Sequence, residues 1–125
     1  MSNKSKPKVL VIDGVNEIAC DILKTACDVI FEPKLTQDNL EKALLDGIDG
    51  LMVRSASQVT AEMIEKSPSL KIVGRAGVGT DNINLKAATK KGVIVVNSPD
   101  GNTEAAAEHT MAMIFTLCRH IPQAD

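Results

Sequence analysis

The chain has no tryptophan, no tyrosine and only two phenylalanines, Phe31 and Phe115. Without aromatic faces it offers no platform on which nucleic-acid bases stack, and its core must be built from Val, Ile, Leu, Ala and Met. Cysteine is scarce. Cys20, Cys27 and Cys118 are odd in number and form no CxxC pair, which argues against a disulfide framework and a zinc site. Cys20 and Cys27 share one helical face and read as buried thiols, since a free cysteine packs as a small hydrophobe. Arginine is scarce too, with three against eleven lysines. The net charge of −2, with 24% charged residues, leaves no basic stripe for a phosphate backbone and no polybasic arm for a membrane. Neither nucleic acid nor membrane is an expected partner. No apolar run approaches the roughly 18 residues of a membrane span, and MSNKSKPK leads into a strand-like run rather than a signal segment. The expectation is a soluble, cytoplasmic chain.

What is present is a regular alternation. The 125 residues, 44% of them apolar, fit one compact domain. Five β-branched runs recur: KVLVID (8–13), VIFEP (29–33), GLMVRS (50–55), KIVGRAG (71–77) and GVIVVNS (92–98). They are near-continuously apolar, which suits parallel strands covered on both faces. Helical patterns lie between them. In 16–26, Ile18, Ile22 and Ala26 with Ala19 and Leu23 form one stripe. TQDNLEKALLDG (36–47) opens on a Thr cap and stops at Gly47; TAEMIEKS (60–67) opens on Thr60 and stops before Pro68; NLKAATKKG (84–92) runs from Asn84 to Gly92. The even spacing hints at a leucine-rich solenoid, but no LxxLxL repeat is found. The order of elements predicts an α/β, flavodoxin-like, five-stranded parallel sheet of order 2-1-3-4-5.

After the SPDG turn, residues 102–120 read as the longest helix, capped by Asn102 or Thr103. From Thr110 to Cys118 it carries no charge, and Met111, Met113, Ile114, Phe115, Leu117 and Cys118 point around most of its circumference. A helix apolar on all sides is normally buried, so this C-terminal helix is expected to pack outside the domain, on a further domain or on a second copy.

Ligands of doubly wound sheets bind beyond the carboxyl ends of the strands. Arg54 ends the third strand and Arg75 follows the fourth, which puts two of the three arginines at that edge. A guanidinium grips carboxylate or phosphate through a planar fork that lysine lacks. In RAGVG, Gly77 and Gly79 permit positive φ, so the N–H groups around Val78 are placed to form an anion nest. Ser55 and Asn102 add neutral hydrogen-bonding groups. The composite suits a small polyanionic acid. His109 and His120, both on the last helix, read as surface or interface residues. No HExxH, GxSxG, GxGxxG or P-loop occurs, so no catalytic set and no metal ligands are assigned.

The segments VRSAS and IVGRAGVGTDNINLKAATKKGVIVVNSPDGNTEAAAEH resemble the D-isomer-specific 2-hydroxyacid dehydrogenases, and within them the branch acting on 3-phosphoglycerate. The resemblance implies a substrate-binding domain over residues 1–101 and, over 102–125, a linking helix toward an NAD-binding domain. It implies that Arg54, Ser55 and Asn102 hold the phosphate and carboxylate of a phosphorylated hydroxy acid. The backbone of Arg75, Ala76, Gly77 and Val78 would receive the carboxylate, with Val78 near the nicotinamide. The catalytic histidine, its glutamate and the cofactor loop of such enzymes would lie beyond Asp125. By that reading NAD belongs to the parent enzyme and does not bind tightly to this chain, which alone does not turn over. The parent would oxidise 3-phosphoglycerate to 3-phosphohydroxypyruvate in serine biosynthesis, as a homo-oligomer assembled through the 102–120 helix. The ending IPQAD reads as a cut.

Three other readings compete. A phosphoacceptor receiver domain shares the fold, but it needs an acidic cluster where Asp13 stands alone, an acceptor Asp where Arg54 stands, and a Lys where the fifth strand ends in Asn97-Ser98-Pro99. A glycerate- or glyoxylate-type dehydrogenase would share the family but take an unphosphorylated acid. A non-catalytic flavodoxin-like module would use the exposed helix to recruit partners.

Overall fold

In the computed structural model, which describes residues 5–123, each β-branched run forms a short strand. The strands are β1 (Lys8–Val11), β2 (Asp28–Phe31), β3 (Gly50–Val53), β4 (Ile72–Arg75) and β5 (Ile94–Asn97). All pair in parallel in the order β2-β1-β3-β4-β5. Val9 lies between Val29 and Gly50, and Val73 between Leu51 and Val95. The predicted α/β class and strand order are therefore those observed. Helices α1 (Glu17–Lys24), α2 (Gln37–Leu45), α3 (Ala61–Lys66) and α4 (Leu85–Lys91) fill the crossovers, and α5 (Thr103–Arg119) follows β5.

Side chains alternate between the two faces of the sheet. Leu10, Ile12, Leu51, Val53 and Val73 pack against Leu40 and Leu44 of α2, Met63 and Ile64 of α3, and Ala87 and Ala88 of α4. On the other face Val9, Val11 and Met52 meet Ala19, Cys20 and Leu23 of α1. Each fully buried Leu or Ile contributes about 1.5–3 kcal/mol by leaving water. This second face is covered only in part, for Ile72, Ile94 and Val96 are exposed.

The α1 stripe is rotated from the sequence expectation. Ala19, Cys20 and Leu23 face the sheet, whereas Ile18 and Ile22 are each 66% exposed and Ala26 is exposed. The residues read as one stripe are therefore split, because the sheet receives only the edge of it that Ala19 and Leu23 form with Cys20. Of the cysteines, Cys20 is buried, Cys27 half-buried and Cys118 exposed.

The helix ends follow local chemistry. Asn16, Thr60 and Asn84 cap α1, α3 and α4 by accepting from the amides of Ile18, Met63 and Ala87. Gly92, at φ 77°, closes α4, and Gly47, at φ 93°, follows α2, both in the left-handed region that glycine adopts freely. Thr36 occupies the N-cap of α2 without a side-chain bond, so its expected capping role is not seen. At the amino edge of the sheet, Asp49 accepts from Lys71 Nζ (2.9 Å) and from the Lys8 amide (3.0 Å). These donors, Lys71 first, hold its carboxyl below the ordinary carboxylate range.

The carboxyl end of α3 is closed by a cation from another helix. Lys91 Nζ donates to Ile64 O (2.6 Å), Glu65 O (2.9 Å) and Ser67 O. An ammonium there meets orphan carbonyls and the negative end of the helix dipole together. Lys91→Met keeps the stem and removes the donors, and is expected to cost about 1–2 kcal/mol. The check is a lower urea midpoint at unchanged m-value; an unchanged midpoint would mean that water replaces the ammonium at no cost.

Unlike the other helices, α5 has no buried residue. Met111, Met113, Ile114 and Phe115 are about half exposed, and Leu117 is 72% exposed. Its apolar circumference is left uncovered among the described residues. No helix among the described residues is long and apolar enough to cross a membrane.

Candidate functional site

The carboxyl ends of β3, β4 and β5 and the start of α5 converge on an open pocket of about 530 Å³. All seven residues expected there, Arg54, Ser55, Arg75, Ala76, Gly77, Val78 and Asn102, line it. Topology explains the convergence. Parallel strands end at one edge, and each carries its following loop to that edge.

Arg54 stands one residue beyond β3. Its side chain makes no hydrogen bond or ion pair among the described residues, and the residue is exposed. Its main chain is fully engaged: the N–H donates to Asp13 Oδ2 (2.9 Å) and the carbonyl accepts from Asn82 Nδ2 (2.7 Å). The guanidinium is thus a free cation on a fixed base.

Arg75 behaves otherwise, and here the expectation of two anion-gripping arginines is corrected. Its side chain is only 11% exposed and lies under its own loop, where Nη1 donates to Gly79 O. Nη2 is 3.9 Å from Asp81 Oδ1 and Nε is buried without a partner. This guanidinium braces the loop from within.

The glycines of the loop are needed for a different reason than positive φ, which neither Gly77 nor Gly79 adopts. A Cβ at either would stand 3.2 Å from Arg75 Nη1, and one at Gly79 would also stand 2.7 Å from Asp81 Oδ1. They are small so that the guanidinium can fold beneath them.

The loop sorts its polar groups. Gly77 O accepts from Ser98 N (3.0 Å), Val78 O from Asn97 Nδ2 (2.6 Å), and Gly79 O from Arg75. The N–H groups of Val78 and Gly79 have no acceptor among the described residues. With its carbonyls held and these two amides unmet, the loop has the polarity of an anion nest.

The start of α5 adds donors. Asn102 occupies its N-cap without a side-chain bond, and Thr103 Oγ1 turns back to Pro99 O (3.4 Å), so neither expected cap is made. The amides of Thr103, Glu104 and Ala105 have no acceptor among the described residues, and the positive end of the dipole is open beside the pocket.

Sequence reasoning missed Ser98 and Gly101 as lining residues because SPDG reads as a turn and nothing more. It also left Asp13 and Asn82 unassigned, because their partners lie far along the chain. His109 and His120 are exposed and do not line the pocket. Among the described residues no cluster of His, Cys, Asp and Glu is arranged to hold a metal ion.

Known proteins resemble this chain in sequence and in fold. The D-3-phosphoglycerate dehydrogenase of Synechocystis is 48% identical over 118 residues, which is 94% of this chain and 21% of that protein. The chain spans about a fifth of the length of such curated relatives. A protein from Pyrococcus horikoshii superposes with a TM-score of 0.79 at 32% identity, covering 96% of this chain and 36% of that one. The NAD+-bound 3-phosphoglycerate dehydrogenase of Entamoeba histolytica superposes with a TM-score of 0.74 at 27% identity, covering 90% and 39%. Because the family profile described as the D-isomer specific 2-hydroxyacid dehydrogenase catalytic domain matches residues 9–119, almost the whole of the sheet and α5, the chain belongs to that family.

Proposed function

We propose that residues 1–101 are the substrate-binding domain of an NAD-dependent oxidoreductase that converts 3-phosphoglycerate to 3-phosphohydroxypyruvate in serine biosynthesis. Residues 102–125 are then the helix that links it to a cofactor domain. The observation that carries this reading is the convergence of one unpaired guanidinium, Arg54, with the unmet amides of Val78 and Gly79 and the open start of α5 around one pocket. Two anionic groups on a short carbon chain have two separate places to go. In this reading the fork of Arg54, with Ser55 and Asn102, takes the phosphate, and the amides of the 75–79 loop take the carboxylate.

The residues of this chain do not form a dinucleotide site. It has no GxGxxG turn between a strand and a helix, and Val78, exposed at the pocket rim, is the one side chain assigned to the nicotinamide. Hydride transfer is therefore assigned to the parent enzyme. The uncovered apolar side of α5 supports its role as a linker whose partner is a cofactor domain or the same helix of a second copy.

Amide NMR titrations with 3-phosphoglycerate, glycerate and NADH in parallel test the proposal. Saturable shifts at Arg54, Gly77, Val78 and Asn102 with the phosphorylated acid, and much smaller ones with the other two, are expected. Equal responses to glycerate would transfer the assignment to a dehydrogenase of unphosphorylated acids. A folded chain that responds to none of them would refute the pocket as a self-sufficient substrate site.

A further inference from the structure

Asp13 places a carboxylate on the main chain of Arg54 without an ion pair to its guanidinium. It follows β1 by two residues, has φ +61° and precedes Gly14 at φ +63°. Two successive left-handed residues fold the chain back at the carboxyl edge, a conformation that Asp and Asn tolerate better than other side chains. Its carboxylate crosses to the loop after β3. Oδ2 accepts from the amides of Arg54 (2.9 Å) and Ser57 (3.1 Å), and Oδ1 accepts from Ser57 Oγ (2.5 Å).

Asn82, only 3% exposed, completes the arrangement from the loop before α4. Its Nδ2 donates to Arg54 O (2.7 Å) and to Ser57 O (2.7 Å). The N–H and C=O groups of both Arg54 and Ser57 are therefore held by side chains, the N–H groups by Asp13 and the C=O groups by Asn82. Ser55 and Ala56 span the interval.

We propose that Asp13 is a positioning residue for the anion site, clamping the main chain of the 54–57 loop so that the Arg54 guanidinium and Ser55 hydroxyl enter the pocket at a fixed place. The proposal rests on the substrate-site reading given above. An aspartate near an arginine would ordinarily form an ion pair and cancel the charge that an anionic ligand needs. Here both carboxylate oxygens are occupied by three donors of the loop, and the guanidinium is left to the ligand. The clamp fixes the position of the cation without neutralising it by contact.

The chemistry of the clamp separates three substitutions. Asp13→Ala removes every acceptor and places alanine at φ +61°. Asp13→Asn keeps one carbonyl oxygen for the two amides and a residue suited to the left-handed backbone. Ser57→Ala removes a single hydroxyl bond and leaves the backbone geometry alone. Affinity for 3-phosphoglycerate, amide exchange at Arg54 and Ser57, and the urea midpoint are measured for each variant.

Asp13→Ala is expected to weaken binding about tenfold, because binding then bears the cost of ordering the loop, with faster exchange at Arg54 and Ser57 than at the core amides of Leu10 and Val73. Asp13→Asn is expected to restore affinity to within about twofold of the original, since it retains the amide acceptor. If Asp13→Ala does not fold, the exchange and affinity of Ser57→Ala decide, and both are expected to move in the same direction by less. A folded Asp13→Ala, or in its place Ser57→Ala, that binds like the original chain overturns the clamp. So does tighter binding by both Asp13 variants, since that would reduce the residue to a repulsive charge. An original chain that does not bind at all is a separate result, which removes the substrate site itself and the clamp's purpose with it.

Discussion

Arg54→Ala is expected to weaken binding of 3-phosphoglycerate by about tenfold to a hundredfold, the equivalent of about 1.5–3 kcal/mol for hydrogen bonds to a charged group. Stability is expected to stay within about 0.5 kcal/mol of the original, as for an exposed side chain with no structural partner. The two effects separate because the main chain and side chain of this residue do different work. Its N–H and C=O are bound by Asp13 and Asn82, and alanine keeps both groups. Its guanidinium makes no hydrogen bond or ion pair among the described residues, and the exposed residue lines the pocket. Arg54→Lys should recover only part of the affinity, because an ammonium supplies charge without the planar fork. Glycerate, which lacks the phosphate, should lose less than the phosphorylated acid. Titration calorimetry with both acids, paired with urea unfolding, gives both readouts. Equal losses for the two acids would move the phosphate away from Arg54.

Much of the fold was legible because the signals that set it are local. A β-branched run between glycine, proline and cap residues has few alternatives to a strand. Asn84 followed by LKAATKKG specifies both ends of α4. The misreadings arise where distant residues decide. Ile18 and Ile22 read as one stripe with Ala19 and Leu23, and which part of that stripe is buried is decided by the sheet. Thr36 and Asn102 sit at cap positions, yet neither side chain makes the bond.

For the site, strand ends and glycine spacing located the edge but not the mechanics. Arg75 and Arg54 look alike in sequence. Burial beneath a loop four residues long turns one into scaffold, while the other stays free. Asp13 gave no signal because its carboxylate acts across the gap between β1 and the loop after β3, a sequence separation of 41.

Arg75→Met separates brace from ligand contact, because stability and affinity are expected to fall together. The methionine keeps an unbranched apolar stem and removes the donor that Gly79 O receives from Nη1. Loss of a charge-assisted bond in a side chain only 11% exposed is expected to cost about 1–3 kcal/mol. With the brace gone, the amides of Val78 and Gly79 no longer hold one orientation, and 3-phosphoglycerate, which must then order the loop, should bind about tenfold more weakly. A second substitution tests the cause. Gly79→Ala in the original chain places a Cβ 3.2 Å from Nη1 and 2.7 Å from Asp81 Oδ1. The exposed Asp81 side chain can swing aside, whereas the guanidinium bonded beneath the loop cannot do so without giving up Gly79 O. The penalty for Gly79→Ala should therefore shrink in the Arg75→Met background, with a coupling of about 0.5 kcal/mol or more from the double-mutant cycle. Additive penalties, or an Arg75→Met chain as stable and as tightly binding as the original, would show that the loop keeps its shape without the guanidinium. In that case Gly77 and Gly79 would owe their small size to the ligand that approaches from the other side.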